Sequence, residues 1–157
     1  MSGSPEHAVR LADAADAATI GQLLHDFNHE FEEPTPDPRT IAERIEKLLA
    51  ADEIMVLLGG SKPDGLALLR FRPALYKDAL DCYLEELYVV PERRGQGLGR
   101  ALMEAAMDLA RREGAAYMDL GTGEDDVAAR ALYERLGFNN RGGRPDGPVN
   151  YFYEREL

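Results

Sequence analysis

The chain is poor in several residue types, and each shortage narrows the choices. Of its 157 residues one is cysteine and none is tryptophan. A lone Cys82 cannot close an internal disulfide, so the fold must rest on its core. No apolar run approaches the ~18 residues of a membrane span. The first residues, Met-Ser-Gly-Ser-Pro-Glu-His, lack a basic region followed by an apolar one, so no secretory leader is expected. Together these features point to a reducing, cytoplasmic setting. Basic residues are in deficit: 18 Lys and Arg stand against 29 Asp and Glu, a formal charge of -11. Nucleic-acid binders need the opposite balance. An acidic surface agrees instead with a cationic small partner. Only three histidines occur, all within the first 29 residues, so a Cys82–His nucleophile pair has little to draw on.

What remains is a soluble composition, 45% hydrophobic and 30% charged, at a length that fits one domain with its own core. One domain is therefore expected over residues 7–157, after a disordered tail, residues 1–6. His7 to Leu11 reads as a first strand. Ile20, Leu23, Leu24, Phe27 and Phe31 form a helical stripe over residues 17–31. The Pro34–Pro38 segment breaks it, and a second helix is expected from Thr40 to Ala50. Strands follow at residues 53–58, 66–71 and 82–90. A helix starts at Gly97, a fifth strand spans residues 116–120, and a short helix spans residues 126–136. Phe138 onwards and Val149 to Glu156 are expected to add two last strands. The order is βααβββαβαββ, an α/β chain. Its strand–helix–strand unit makes strands four and five parallel neighbours.

Chemistry concentrates where strand four meets the following helix. Gly95, Gly97 and Gly99 alternate there, flanked by Arg93, Arg94 and Arg100. A glycine turn opening a helix presents backbone N–H groups and a positive dipole end, which suits a phosphate-bearing ligand. The Walker pattern G-x-x-x-x-G-K-[ST] is absent. The dinucleotide pattern G-x-G-x-x-G fails at Arg100, although Asp119 stands about where its acid belongs. His25-Asp26-Phe27-Asn28-His29 imitates H-E-x-x-H, but Asp replaces Glu and no third ligand is signposted, so no metal is expected.

A second motif lies about thirty residues on, from Asp126 to Phe138, with the rhythm [N/D]-x-x-A-x-x-L-Y-x-x-L-G-F. Together with Arg94, Gly97 and Gly99 in [R/Q]-x-x-G-x-[G/A], it resembles the GNAT superfamily of acyl-CoA-dependent N-acetyltransferases. The resemblance is strong over about residues 82–138. It implies a mixed sheet whose fourth and fifth strands splay, with acetyl-CoA as cosubstrate in the gap. Leu87, Tyr88 and Val89 would then line the pantetheine arm, and the Leu87 N–H would hold the oxyanion. Arg94, Gly95, Gln96, Gly97, Leu98, Gly99 and Arg100 would cradle the pyrophosphate, with Asp126, Ala129 and Tyr133 as further cofactor contacts. Tyr133 would protonate or hydrogen-bond the departing thiolate. Asp126 departs from the Asn usual in the family; ionised, it accepts hydrogen bonds but cannot donate them.

An amine acceptor must lose a proton before it attacks a thioester. Glu85 and Glu86 lie just before the cofactor residues, and simple strand alternation sends them to opposite faces. Tyr83 to Val89 is similar to the diamine and polyamine branch of the family. Glu85 is favoured as base, with Glu86 the alternative. Phe27, Asn28, Glu30 and Phe31 on the first helix, with Glu85, are the expected acceptor contacts. The implied reaction is acetyl transfer to a primary amine of a small molecule, by direct attack in a ternary complex. A protein N-terminus or lysine as acceptor, and a non-catalytic acyl-CoA-binding module, are the alternatives. Tyr151-Phe152-Tyr153 offers an apolar edge for a homodimer.

Overall fold

A computed structural model of the chain describes residues 5–157. It divides into two compact units, Met1–Leu120 and Gly121–Leu157. Four residues of the expected tail lie outside the described residues, and Pro5–His7 forms a short 3-10 turn.

The first unit is a five-stranded sheet in the order β1-β2-β3-β4-β5. Its strands are β1 (Val9–Leu11), β2 (Met55–Gly59), β3 (Gly65–Pro73), β4 (Leu80–Val89) and β5 (Ala115–Leu120). Neighbours run antiparallel except β4 and β5, which are parallel, as a strand–helix–strand crossover requires. Three helices cover this sheet: α1 (Ala17–Glu30), α2 (Pro38–Ala50) and α3 (Leu98–Arg112). The helix starts are set locally. Asp37 caps α2 by accepting from the Thr40 N–H at 2.9 Å. Pro38 occupies the first helical position, where a missing N–H costs nothing. The proline-rich segment thus ends one helix and begins the next.

Strand alternation divides the core. Val56, Leu58, Leu66, Leu68 and Tyr88 face one way and pack with Ile20, Leu23 and Ile45 of α1 and α2. On the opposite face α3 buries Leu98, Leu102, Met103, Ala106 and Leu109. Gly59 and Gly65 permit this closeness; a Cβ on either would stand about 3.0–3.1 Å from Leu98 or Leu102 side-chain atoms. Two close-packed layers against one sheet leave the acids of β4 to be placed by register rather than by propensity.

The second unit holds one helix, α4 (Val127–Arg135), which Asp126 caps through the Ala129 N–H at 3.1 Å. The two last strands expected from Phe138 and over residues 149–156 do not form; no strand occurs among residues 121–157. The element order is therefore βααβββαβα. Local chain geometry works against strands here: Gly142 and Gly143 adopt positive φ, 64° and 77°, and Pro145 and Pro148 remove donors. Tyr151, Phe152 and Tyr153 are 70–87% exposed.

Candidate active site

The geometry begins with a gap in the sheet. Parallel pairing of β4 with β5 ends at Leu84 and Leu120. β4 continues to Val89 and stays paired with β3 on its other side. Glu85 to Val89 therefore carry backbone groups with no β5 partner. Such a slot accepts an extended, amide-bearing chain as an added half-strand.

At the far end of the slot lies the glycine turn. Gly95 and Gly97 have φ of 72° and 91°, a region other residues enter only with strain. Gly97 is the N-cap of α3 and offers no side chain to the first turn. The N–H groups that open a helix have no partner within it, so here they face outward. A Cβ on Gly95 would meet nothing within 4 Å, so the turn is open around that residue. These features fit a pyrophosphate.

At the near end, register decides which way the acids point. Leu68 pairs with Glu86 and Leu69 with Leu84, so Glu85 is the extra residue of a β-bulge. Glu85 accepts a hydrogen bond from Arg70 Nε. Arg70 and Leu68 are two apart on β3 and share a face. The expected opposition of Glu85 and Glu86 is thus overturned: the bulge turns both toward the α1–α2 side. Their surroundings differ. Glu85 is held by Arg70. Burial first, and the nearby Glu85 charge second, push the Glu86 carboxyl up to about 7. Beside them Arg72 reaches Asp119 at 3.2 Å and Asp81 at 3.7 Å.

Helix α1 supplies the facing wall. Phe27 stacks on Tyr88 with ring centroids 4.8 Å apart, and its edge meets Phe31. Asn28 donates to Thr35 Oγ1 at 3.4 Å. Glu30 accepts from Arg94 Nη1 and Nη2, both at 2.8 Å, and from the Tyr88 hydroxyl at 3.5 Å. Arg94 Nε also donates to the Val89 carbonyl at 2.9 Å, and its guanidinium lies over the Tyr88 ring. Arg94, the expected pyrophosphate contact, thus ties the turn to α1 through Glu30. Gln96 bridges Arg93 and the Glu92 carbonyl, Leu98 is fully buried, and Arg100 pairs with Glu104 one turn on. Within the turn, the open groups are backbone N–H groups rather than arginines.

In the second unit, Tyr133 is buried and packs edge-on against Phe138, 6.1 Å between centroids. Burial, then the Asp126 charge, push its hydroxyl up to about 12. Asp126 Oδ1 and the Ala129 N–H are engaged with each other as the helix cap. His25 and His29 stack on the outer part of α1, with His25 Nδ1 near the Pro36 carbonyl at 3.1 Å. Cys82 is buried, and its thiol is pushed up to about 11 by burial. No helix among the described residues is long and apolar enough to cross a membrane.

A parted parallel strand pair that leads into a glycine turn at a helix start is a family-level arrangement, and the family model of the acetyltransferase (GNAT) family matches residues 20–138. The chain is a GNAT acetyltransferase. It is similar over its whole length to a solved structure from Arthrobacter sp. FB24 assigned to the acetyltransferases, with 43% identity, full coverage of both chains and a TM-score of 0.87. The uncharacterized N-acetyltransferase YhfO of Bacillus subtilis is 28% identical over 132 residues, 83% of this chain and 88% of that protein. An aminoglycoside acetyltransferase from a soil metagenome, solved with sisomicin, shares the fold at 18% identity. It has a TM-score of 0.74 and covers 95% of this chain and 96% of its own. This GNAT acetyltransferase thus has the parallel β4–β5 pair expected from its sequence. Two groups of its site were not anticipated, Arg70 beside Glu85 and the Phe27–Tyr88 stack. Neither has a sequence signal, since both depend on cross-strand register.

Proposed function

We propose that the protein transfers an acetyl group from acetyl-CoA to a primary amine of a small molecule, with Glu86 as general base. The supporting observation is the bulge at Glu85, which turns Glu86 of the β4 overhang toward the α1–α2 side with a carboxyl near 7. A base of that strength is deprotonated at working pH yet still basic enough to take a proton. Glu85, the base favoured from sequence, is less suited because Arg70 holds it.

Acetyl-CoA supplies an activated carbonyl and a thiolate leaving group. The chain's own residues would do the rest. The glycine-turn N–H groups hold the pyrophosphate end. Leu87, Tyr88 and Val89 of the overhang pair with the extended arm, and the Leu87 N–H faces the developing oxyanion. Glu86 takes the ammonium proton, directly or through one water. Tyr133 serves the departing thiolate. With its hydroxyl near 12 and a thiol near ~8.5, complete proton transfer would be uphill by ~4–5 kcal/mol. Tyr133 therefore acts as a hydrogen-bond donor to the thiolate rather than as its acid. Tyr133→Phe is expected to lower kcat by about tenfold, the loss of one charge-assisted hydrogen bond, with the acetyl-CoA Kd unchanged. Equal turnover of the two proteins would remove this role.

The acceptor follows from which carboxylates remain available. Glu85, Asp81 and Asp119 are matched by Arg70 and Arg72, and Glu30 by Arg94. The far ammonium of a diamine has fewer anions to meet than the net charge suggests, so the reading centres on a single reactive amine at Glu86. The deciding experiment is acetyl-CoA calorimetry followed by a thiol-release assay over monoamines, diamines, amino acids and short peptides. Absence of acetyl-CoA binding at millimolar concentration would sink the proposal. Tight binding with no thiol release from any amine would favour a non-catalytic acyl-CoA module.

A further inference from the structure

The glycine turn has little of its own to hold its shape. Gly95 and Gly97 lack side chains, and both sit at positive φ. One neighbouring side chain draws in everything around them. Arg93 closes the 3-10 turn Pro91–Arg93 that follows β4. Its Nη1 donates to Asp64 Oδ2 at 2.9 Å, in the β2–β3 connection. Its Nη2 donates to the Glu6 carbonyl at 2.8 Å, 87 residues away. Its Nε donates to Gln96 Oε1 at 3.2 Å, inside the glycine turn itself.

The partners are themselves fixed. The Asp64 N–H donates to the Gly59 carbonyl at 2.8 Å, and the Asp64 carbonyl accepts from the Val90 N–H at 2.8 Å. Gln96 Nε2 donates to the Glu92 carbonyl at 3.0 Å. The Arg93 and Asp64 side chains are only 16% and 13% exposed. This differs from a loose surface ion pair: three guanidinium nitrogens reach three separate chain segments, partly out of water. The N-terminal turn is drawn in with them. The His7 ring lies against Gly97, its Cε1 3.5 Å from where a Cβ on that glycine would stand.

We infer that Arg93 is the positioning residue that presets the glycine turn for a pyrophosphate, acting through Gln96, Asp64 and the N-terminal turn without touching the ligand. The inference rests on the proposed reading that this turn holds the cofactor's pyrophosphate. A cradle of backbone N–H groups binds well only if it is already in shape, since ordering it on binding opposes affinity. Four glycine torsions in the turn would otherwise have to be fixed when the ligand arrives, and Arg93 fixes them beforehand.

The test compares two probes. Acetyl-CoA carries the pyrophosphate; S-acetylpantetheine ends before it. Arg93→Ala is expected to weaken acetyl-CoA about tenfold by calorimetry and to leave S-acetylpantetheine, followed by NMR titration, unchanged. Arg93→Lys keeps a cation for Asp64 without the fork, and is expected to fall between the two. It serves as the reporter if the alanine variant folds poorly. An equal loss for both probes would mean general loosening and would overturn the inference. So would native acetyl-CoA affinity in both variants. Failure of the unaltered protein to bind acetyl-CoA is a separate result, which removes the cofactor reading itself.

Discussion

Glu86→Gln is expected to lower kcat by a hundredfold or more at pH 7.5, within the usual range of ~10²–10⁴ for a general base. Glutamine keeps the size and hydrogen-bonding shape of the side chain but cannot take a proton. The native rate should rise about tenfold per pH unit below about 7 and level off above it, since the base works deprotonated. The raised carboxyl has a direct energetic use. Moving a proton from a primary ammonium, near ~10.4, to an ordinary glutamate is uphill by ~8 kcal/mol. A carboxyl near 7 lowers that climb by ~3 kcal/mol. Glu85→Gln removes the neighbouring negative charge, so the midpoint should move down while the plateau stays within a few-fold. A Glu86→Gln enzyme with native turnover would end the assignment.

Stability should change in the opposite direction to activity. A carboxyl raised in the folded state stabilises the fold while protonated, and that contribution is lost as pH rises through about 7. Above pH 7 the native protein carries an unfavourably buried charge that glutamine does not. The variant should be more stable there by about 1–2 kcal/mol, a value already reduced for partial solvent screening. At pH 4 the two should melt together. This pairing of lost turnover with gained stability would separate a catalytic carboxylate from a structural one.

Gly21→Ala is expected to destabilise the protein by about 2 kcal/mol, against the usual sign for a glycine inside a helix. The cause is the approach of α1 to α2. A Cβ at Gly21 would stand 2.6 Å from the Pro38 carbonyl oxygen, 2.9 Å from the Ala42 nitrogen and 3.0 Å from the Ala42 Cβ. Two of these are backbone atoms, so no rotamer change relieves them; one helix must shift. The melting temperature should fall by roughly 4–8 °C in a thermal scan followed by circular dichroism. A rise in melting temperature would show that the helices sit further apart. Because α1 carries Phe27 against Tyr88 and Glu30 against Arg94, the shift should also raise KM for the acceptor.

The features legible in the sequence were local ones. Gly95 and Gly97 mark a turn and Gly99 falls in the first turn of α3, all within one short stretch, and the α1 stripe needs only one helix to be read. The Asp126–Phe138 motif is local too, covering α4 and its two ends. What escaped depends on contacts across the chain. The bulge at Glu85 is a mismatch of register between β3 and β4, and neither strand contains it alone. Arg93 and Arg94 read as cations flanking a glycine turn; their partners Glu6, Asp64 and Glu30 lie 87, 29 and 64 residues away. Residues 149–156 have strand-like composition, yet no strand forms there.

The overhang of β4 beyond β5 is also a ruler. Five residues, Glu85 to Val89, extend past the last β4–β5 pair at Leu84. At ~3.3 Å per residue they span about 16 Å. One end of that length is the carboxylate pair and the other leads into the helix-start cradle. Under the proposed function, reaction point and anchor would be spaced by a residue count along one backbone, not by two independently packed walls. Deleting any one of the five would shorten the span by one step. Deleting Glu85 would also restore regular alternation at the bulge and leave a single acid to face α1. The extra residue thus sets both the length of the slot and which carboxylate stands at its end.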